Sequence, residues 1–192
     1  MSGIPCILFA GGKSSRMGED KALLPFGGYD TLSEYQYKRL QKIFPEVYIS
    51  TKDPDKFPFK ADFIVDKSDI FAPTAGFVAV YEALKDKRFF VLGVDMPFVD
   101  ENIISVLLKS DNKTSDATLA LSYNGVESLC GIYNHSLEPY FKSMLQKGEH
   151  KLRKMLDKVN TNLVPFKEQK AFFNLNKPSE YQKAKELYDI IE

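Results

Sequence analysis

Two adjacent glycines, Gly11 and Gly12, close the apolar run Ile7-Leu8-Phe9-Ala10, and a polar loop carrying Lys13, Arg16 and Lys21 follows before apolar residues return at Ala22. A glycine turn lets main-chain N–H groups approach a ligand, because no Cβ stands in the way. Cations in the same loop make an anion, and best a polyphosphate, the guest. A second place is Asp95, which ends the unbroken apolar run Phe89-Phe90-Val91-Leu92-Gly93-Val94 and is followed by Met96 and Pro97. A carboxylate held at a strand end suits Mg²⁺, which takes one or two carboxylates plus substrate oxygens. Its other reading is a helix cap, although Asp100 and Glu101 serve the next helix better. Asp66 ends the shorter run Phe63-Ile64-Val65, where it either meets a ligand or starts a turn with Lys67 and Ser68. Asn174 and Asn176 alternate along an extended stretch and so point the same way. They offer two amides to one ring, or else end a strand ahead of Pro178.

Other chemistries are disfavoured by spacing. A P-loop needs Lys and then Ser or Thr after its last glycine, and Gly18 is followed by Glu19. A dinucleotide fingerprint needs its first two glycines separated by one intervening residue, and Gly11 and Gly12 are adjacent. His135 and His150 stand outside these motifs, and no Ser or Cys nucleophile is implied. Cys6 and Cys130 sit in apolar segments without a CxxC partner, which reads as two buried free thiols. Lys147, His150, Lys151, Arg153 and Lys154 line one side of a short helix, a solvated face or part of an anion site.

Strands and helices must bring these residues together. Apolar runs alternate with helical patterns, so the fold class is α/β with a mostly parallel sheet flanked by helices. Thr31-Leu32-Ser33-Glu34 has capping-box spacing and opens a helix running to about Phe44. Val47–Ser50 and Phe63–Val65 read as strands, Phe77–Leu84 as a helix after a connection containing Pro73 and Gly76, and Glu101–Lys109 as another helix. Further on the parallel rhythm weakens. Asn124-Gly125 between strand-like runs predicts a hairpin, hence an antiparallel portion in the C-terminal half. Ala171–Phe173 reads as a short strand, and Ser179 after Pro178 as the start of a terminal helix. With no linker or repeat, residues 1–192 are expected to form one domain, with 1–110 holding nucleotide and metal and 111–192 the acceptor.

Composition bounds the partners. Lys plus Arg and Asp plus Glu number 26 each, so no global field recruits nucleic acid or an anionic membrane. The N-terminus lacks a signal-peptide pattern and no apolar run reaches spanning length, so a cytoplasmic location is expected.

The pattern Ala10-Gly-Gly-x-x-x-Arg16-Met17-Gly18-x-Asp20-Lys21-x-Leu-Leu24 resembles the signature of nucleotidyltransferases with a nucleotide-diphosphosugar-transferase fold. Asp66 with Pro73-Thr74-Ala75-Gly76, Asp95-Met96-Pro97, and Phe173-Asn174-Leu175-Asn176-Lys177-Pro178-Ser179-Glu180 follow in the same order as in the molybdenum cofactor guanylyltransferases. The resemblance implies transfer of GMP from GTP to the terminal phosphate of molybdopterin, with release of pyrophosphate. It implies Mg²⁺ on Asp95, with Lys21 and Arg16 at the phosphates as catalytic groups. Phe9, Ala10, Gly11 and Gly12 would border the guanine, with Ser50 and Asp66 also on the GTP side, and Asn174 and Asn176 on the molybdopterin side. Transient contacts with other molybdenum cofactor enzymes are implied too. Phe9 replaces a leucine, Ser50 stands where some relatives carry Asn, and Lys177 replaces a threonine. Rival readings are a cytidylyl or sugar-phosphate transferase of the same fold, and a non-catalytic guanine-nucleotide-binding domain.

Overall fold

The computed structural model describes residues 3–11, 18–85, 87–112 and 114–190. Seven strands form one sheet: β1 (Cys6–Phe9), β2 (Val47–Thr51), β3 (Asp62–Val65), β4 (Phe89–Gly93), β5 (Ala117–Ser122), β6 (Gly125–Tyr133) and β7 (Thr161–Pro165). Their order is β3-β2-β1-β4-β6-β5-β7. Only β6 runs against its neighbours, β4 on one side and β5 on the other; all other pairs are parallel. The expected α/β class with an antiparallel portion in the C-terminal half is what forms, and the hairpin turns at Tyr123-Asn124.

Alternation along β1 divides the core into two layers. Cys6 and Leu8 face α1 (Leu32–Leu40), α3 (Glu101–Ser110) and α6 (Pro178–Asp189). Ile7 and Phe9 face α2 (Pro73–Leu84), α4 (Glu138–Gln146) and α5 (Leu152–Leu156), where Phe77 stacks on Phe141 with centroids 4.2 Å apart. With both faces covered, β1 and β4 need no polar alternation, and every residue of each is buried.

Caps set the helix starts. Thr31 Oγ1 accepts from the Glu34 N–H at 3.0 Å and Asp100 Oδ1 from the Ile103 N–H at 2.9 Å. Three local expectations are corrected. α2 begins at Pro73 rather than Phe77, because a proline suits the first helical position, and so Gly76 lies inside the helix. Ala171 and Phe172 belong to a 3-10 turn (Gln169–Phe172) instead of a strand: the inner sheet positions are filled, and the turn buries both side chains in the Cys6/Leu8 layer. α6 starts at Pro178 rather than Ser179, because a proline suits the first helical position, and Lys177 holds the cap position without a side-chain bond.

Candidate active site at the carboxyl edge of β1 and β4

From β1 the chain moves outward through β2 to β3, then crosses back to β4 on the other side of β1. Such a reversal opens a crevice beyond the strand ends, the usual ligand position in open α/β sheets. Phe9 is opposite Gly93, and the Val94 N–H donates to the Phe9 carbonyl at 3.0 Å, so the loops leaving β1 and β4 share this edge.

Lys21 comes from a 3-10 turn (Lys21–Leu23) capped by Asp20, whose Oδ1 accepts from the Ala22 N–H at 3.1 Å. Its Nζ donates to Asp95 Oδ2 at 2.6 Å and to Asn176 Oδ1 at 3.3 Å. Three places far apart in sequence thus converge on one half-buried cation. The Asp95 loop is fixed from behind. Buried Gln36 of α1 donates through Nε2 to the carbonyls of Met96 (3.0 Å) and Val94 (3.5 Å), and the Leu175 N–H donates to the Asp95 carbonyl at 3.0 Å. Gly93 leaves room for the same arrangement: a Cβ there would lie 2.6 Å from Asp95 Oδ1, and the carboxylate would have to shift.

Beside this cluster a small cavity is lined by Phe9, Gly11, Ser50, Lys52, Asp66 and Gly76, among others. Ser50 and Asp66 are buried. Asp66 Oδ2 accepts from Lys52 Nζ at 2.7 Å and Oδ1 from the Ser68 N–H at 2.9 Å, so the carboxylate both lines the cavity and starts a turn. The Ala10 N–H donates to the Ser50 carbonyl at 3.1 Å, and the Ala10 carbonyl accepts from Lys56 Nζ at 3.5 Å. Sheet and loop already use these groups and the Phe9 carbonyl, leaving Gly11 the more open backbone. Lys56 also pairs with Asp20 at 2.5 Å. Lys21–Asp95, Lys52–Asp66 and Lys56–Asp20 therefore ring the edge as charge-balanced pairs, whose cations an incoming polyphosphate can claim.

On the other side, Asn174 hydrogen-bonds Glu127 of β6, which also accepts from Ser122 Oγ at 2.6 Å. Burial pushes the Glu127 carboxyl above its ordinary range and the charge of Asp95 adds to the rise, while the bonds from Ser122 and Asn174 pull it down. Sequence reasoning missed Glu127, Gln36, Lys52 and Lys56, because each is recruited by tertiary contact and none belongs to a local motif. His150, expected on a solvated face or in part of an anion site, has its Nδ1 2.7 Å from Thr74 Oγ1 at the start of α2. Gly12, Lys13 and Arg16 lie outside the described residues.

Among the described residues no group of three or more His, Cys, Asp and Glu side chains gathers as a metal cage. One carboxylate at a strand end, with a second nearby, fits a hard cation that completes its shell from substrate oxygens. Asp95, with Glu127 close enough to sense its charge, meets that description.

The family model for the MobA-like NTP transferase domain matches residues 6–163. The chain belongs to this family. A molybdenum cofactor guanylyltransferase of Campylobacter jejuni is 34% identical over 94% of either chain, and one of Helicobacter pylori is 30% identical over 96% of this chain and 92% of its own. Among solved structures, molybdopterin-guanine dinucleotide biosynthesis protein A of Archaeoglobus fulgidus shares the fold at a TM-score of 0.84, with 23% identity over 97% of this chain and all of that one. A protein of Aquifex aeolicus superposes at 0.78 with 28% identity, covering 92% and 96% of the two chains. This member of the MobA-like family is a nucleotidyltransferase of molybdenum cofactor biosynthesis. No described helix is long and apolar enough to cross a membrane.

Proposed function

We propose that this enzyme transfers GMP from GTP to the terminal phosphate of molybdopterin and releases pyrophosphate. The observation that carries the reading is the meeting of Lys21, Asp95 and Asn176 at the reversal point of the sheet. The name molybdenum cofactor guanylyltransferase, carried by the Campylobacter and Helicobacter relatives, supports guanine nucleotide as donor and the cofactor as acceptor.

The nucleophile is already an anionic phosphate oxygen, so catalysis consists of in-line positioning and charge neutralisation without a strong general base. Phe9, Ala10, Gly11, Gly12, Ser50 and Asp66 hold the nucleotide side. Lys21 exchanges Asp95 for the phosphates and offsets charge on the departing pyrophosphate, with Arg16 adding a planar fork. Asp95, released from Lys21, is the residue that would hold Mg²⁺, which supplies further neutralisation at the phosphate oxygens. Asn174 and Asn176 orient the acceptor: Asn176 Oδ1 faces Lys21, which leaves its amide N–H₂ for a ring acceptor. The product passes to other molybdenum cofactor enzymes through transient contacts.

The test is incubation of the purified protein with molybdopterin and GTP, CTP or UTP, with and without Mg²⁺, following pyrophosphate. Release with GTP and Mg²⁺ alone is expected. A preference for CTP replaces the guanylyl assignment with a cytidylyl one. Nucleotide binding without any pyrophosphate release makes the domain non-catalytic.

A further inference from the structure

A cavity lies behind the Asp95 loop, away from the edge described above. It has a volume of about 460 Å³ and sits among α1, α3 and α6. That is within the roughly 300–1,000 Å³ usual for small-molecule sites. Its wall is largely aromatic and aliphatic, with Phe98, Ile103, Phe166 and Tyr188 contributing.

Arg39 of α1 lines this cavity and is poorly matched to its surroundings. Its Nη2 donates to Gln36 Oε1, its Nε is buried with no hydrogen-bond partner, and the guanidinium lies 5.4 Å from the Tyr35 ring centroid. A guanidinium offers five N–H donors in a fixed fork, and one hydrogen bond is found for it among the described residues. Asp100 lines the same cavity, but its Oδ1 caps α3 and no ion pair within 4.0 Å joins it to Arg39 among the described residues. Exposed Glu168 and Lys170, also at the wall, oppose each other in charge. A desolvated cation short of acceptors is costly, and a guest that brings an anionic group removes the deficit.

We propose that this cavity binds a small amphipathic anion, an aromatic ring system bearing one carboxylate or phosphate, whose head bonds the Arg39 fork while its ring packs against Phe98, Phe166 and Tyr188. Apolar walls with one convergent cation select for that combination: the body gains from leaving water and the head fixes orientation. Gln36, which Arg39 holds, also holds the carbonyls on either side of Asp95, so the guest sits one side chain away from that loop. The inference needs no step of nucleotide transfer, and its test reads binding alone.

The full chain is titrated with 2-naphthoate, 2-naphthyl phosphate and the neutral 2-naphthylmethanol, by calorimetry and ligand-observed NMR. Either anion is expected to bind at least about tenfold more tightly than the alcohol, the size of one charge-assisted contact; the tighter of the two identifies the head. Arg39→Met is expected to bring the anions down to the level of the alcohol, with an unchanged circular dichroism spectrum. Val106→Trp, at a wall side chain 42% exposed, fills the cavity without disturbing the core and is expected to weaken all three probes. It carries the decision if Arg39→Met does not fold. The proposal is overturned if no probe binds, if the alcohol matches the anions, if Val106→Trp leaves binding intact, or if GTP displaces the probes competitively.

Discussion

Asp95 and Lys21 neutralise each other across 2.6 Å, and in the proposed reaction a charged substrate parts them. Replacing Asp95 with Asn keeps the shape and the backbone bonds from Gln36 and Leu175. Asp95→Asn should therefore unfold within a few degrees of the parent yet lose Mg²⁺-dependent pyrophosphate release; retained turnover removes Asp95 from the metal role. Lys21→Ala should lower kcat/KM by about 3 kcal/mol, near a hundredfold, the usual cost of one preorganised charge-assisted donor. Steady-state kinetics with GTP checks it. Glu127 gives a pH signature. Its carboxyl is raised in the folded chain, so the native state binds more protons than the unfolded one just above the ordinary glutamate range, and stability falls as pH climbs through that interval. Glu127→Gln should remove the fall, so its melting temperature should gain on the parent as pH rises from acid to neutral; a constant difference refutes the linkage. Lys21, Asp95 and Asn176 could be found from sequence, since each belongs to a short stretch with its own spacing. Glu127, Gln36 and Lys52 could not, because a lone Glu, Gln or Lys in an ordinary strand, helix or loop carries no local mark of what it will touch.

Helix α2 shows how an element's boundary reshapes a site. Beginning at Pro73, it brings Gly76 against β1 and β2, where a Cβ would sit 2.9 Å from the Phe9 ring and 3.2 Å from Ser50 Oγ. Phe9 has little room to yield, with Phe77 at a centroid distance of 4.8 Å. Gly76→Ala should cost about 1–3 kcal/mol of stability through overpacking and weaken GTP binding, because the affected ring lines the small cavity. Urea denaturation and nucleotide titration read the two effects separately. Strand periods and caps were legible because they are local: the bare runs of β1 and β4, the Thr31 and Asp100 caps. The Ala171–Phe173 expectation failed because two aromatics and an alanine look alike in a strand and in a tight turn. Only the occupancy of the sheet decides between them.

Across the whole molecule, the sheet and both layers follow from alternating apolar and helical patterns, while the strand order does not, since pairing joins residues distant in sequence. The two cysteines illustrate the former kind of legibility. Cys6 and Cys130 are free and fully buried in one layer, and burial pushes both thiols up, so neither should react with a thiol reagent in the native state. Titration with such a reagent should count none before unfolding and two after it; a rapidly labelled native thiol contradicts the packing of β1 or β6.

After β7 the chain leaves the sheet and travels back to its centre, where Leu175 bonds Asp95 and Asn176 meets Lys21. These contacts lie beyond residue 163, where the family match stops. A chain cut after residue 165 would hold the residues of all seven strands but lose Leu175 and Asn176, and with them the contacts they make to Asp95 and Lys21. The segment that completes these contacts is the last to be synthesised, so prematurely terminated products should compete for substrate poorly.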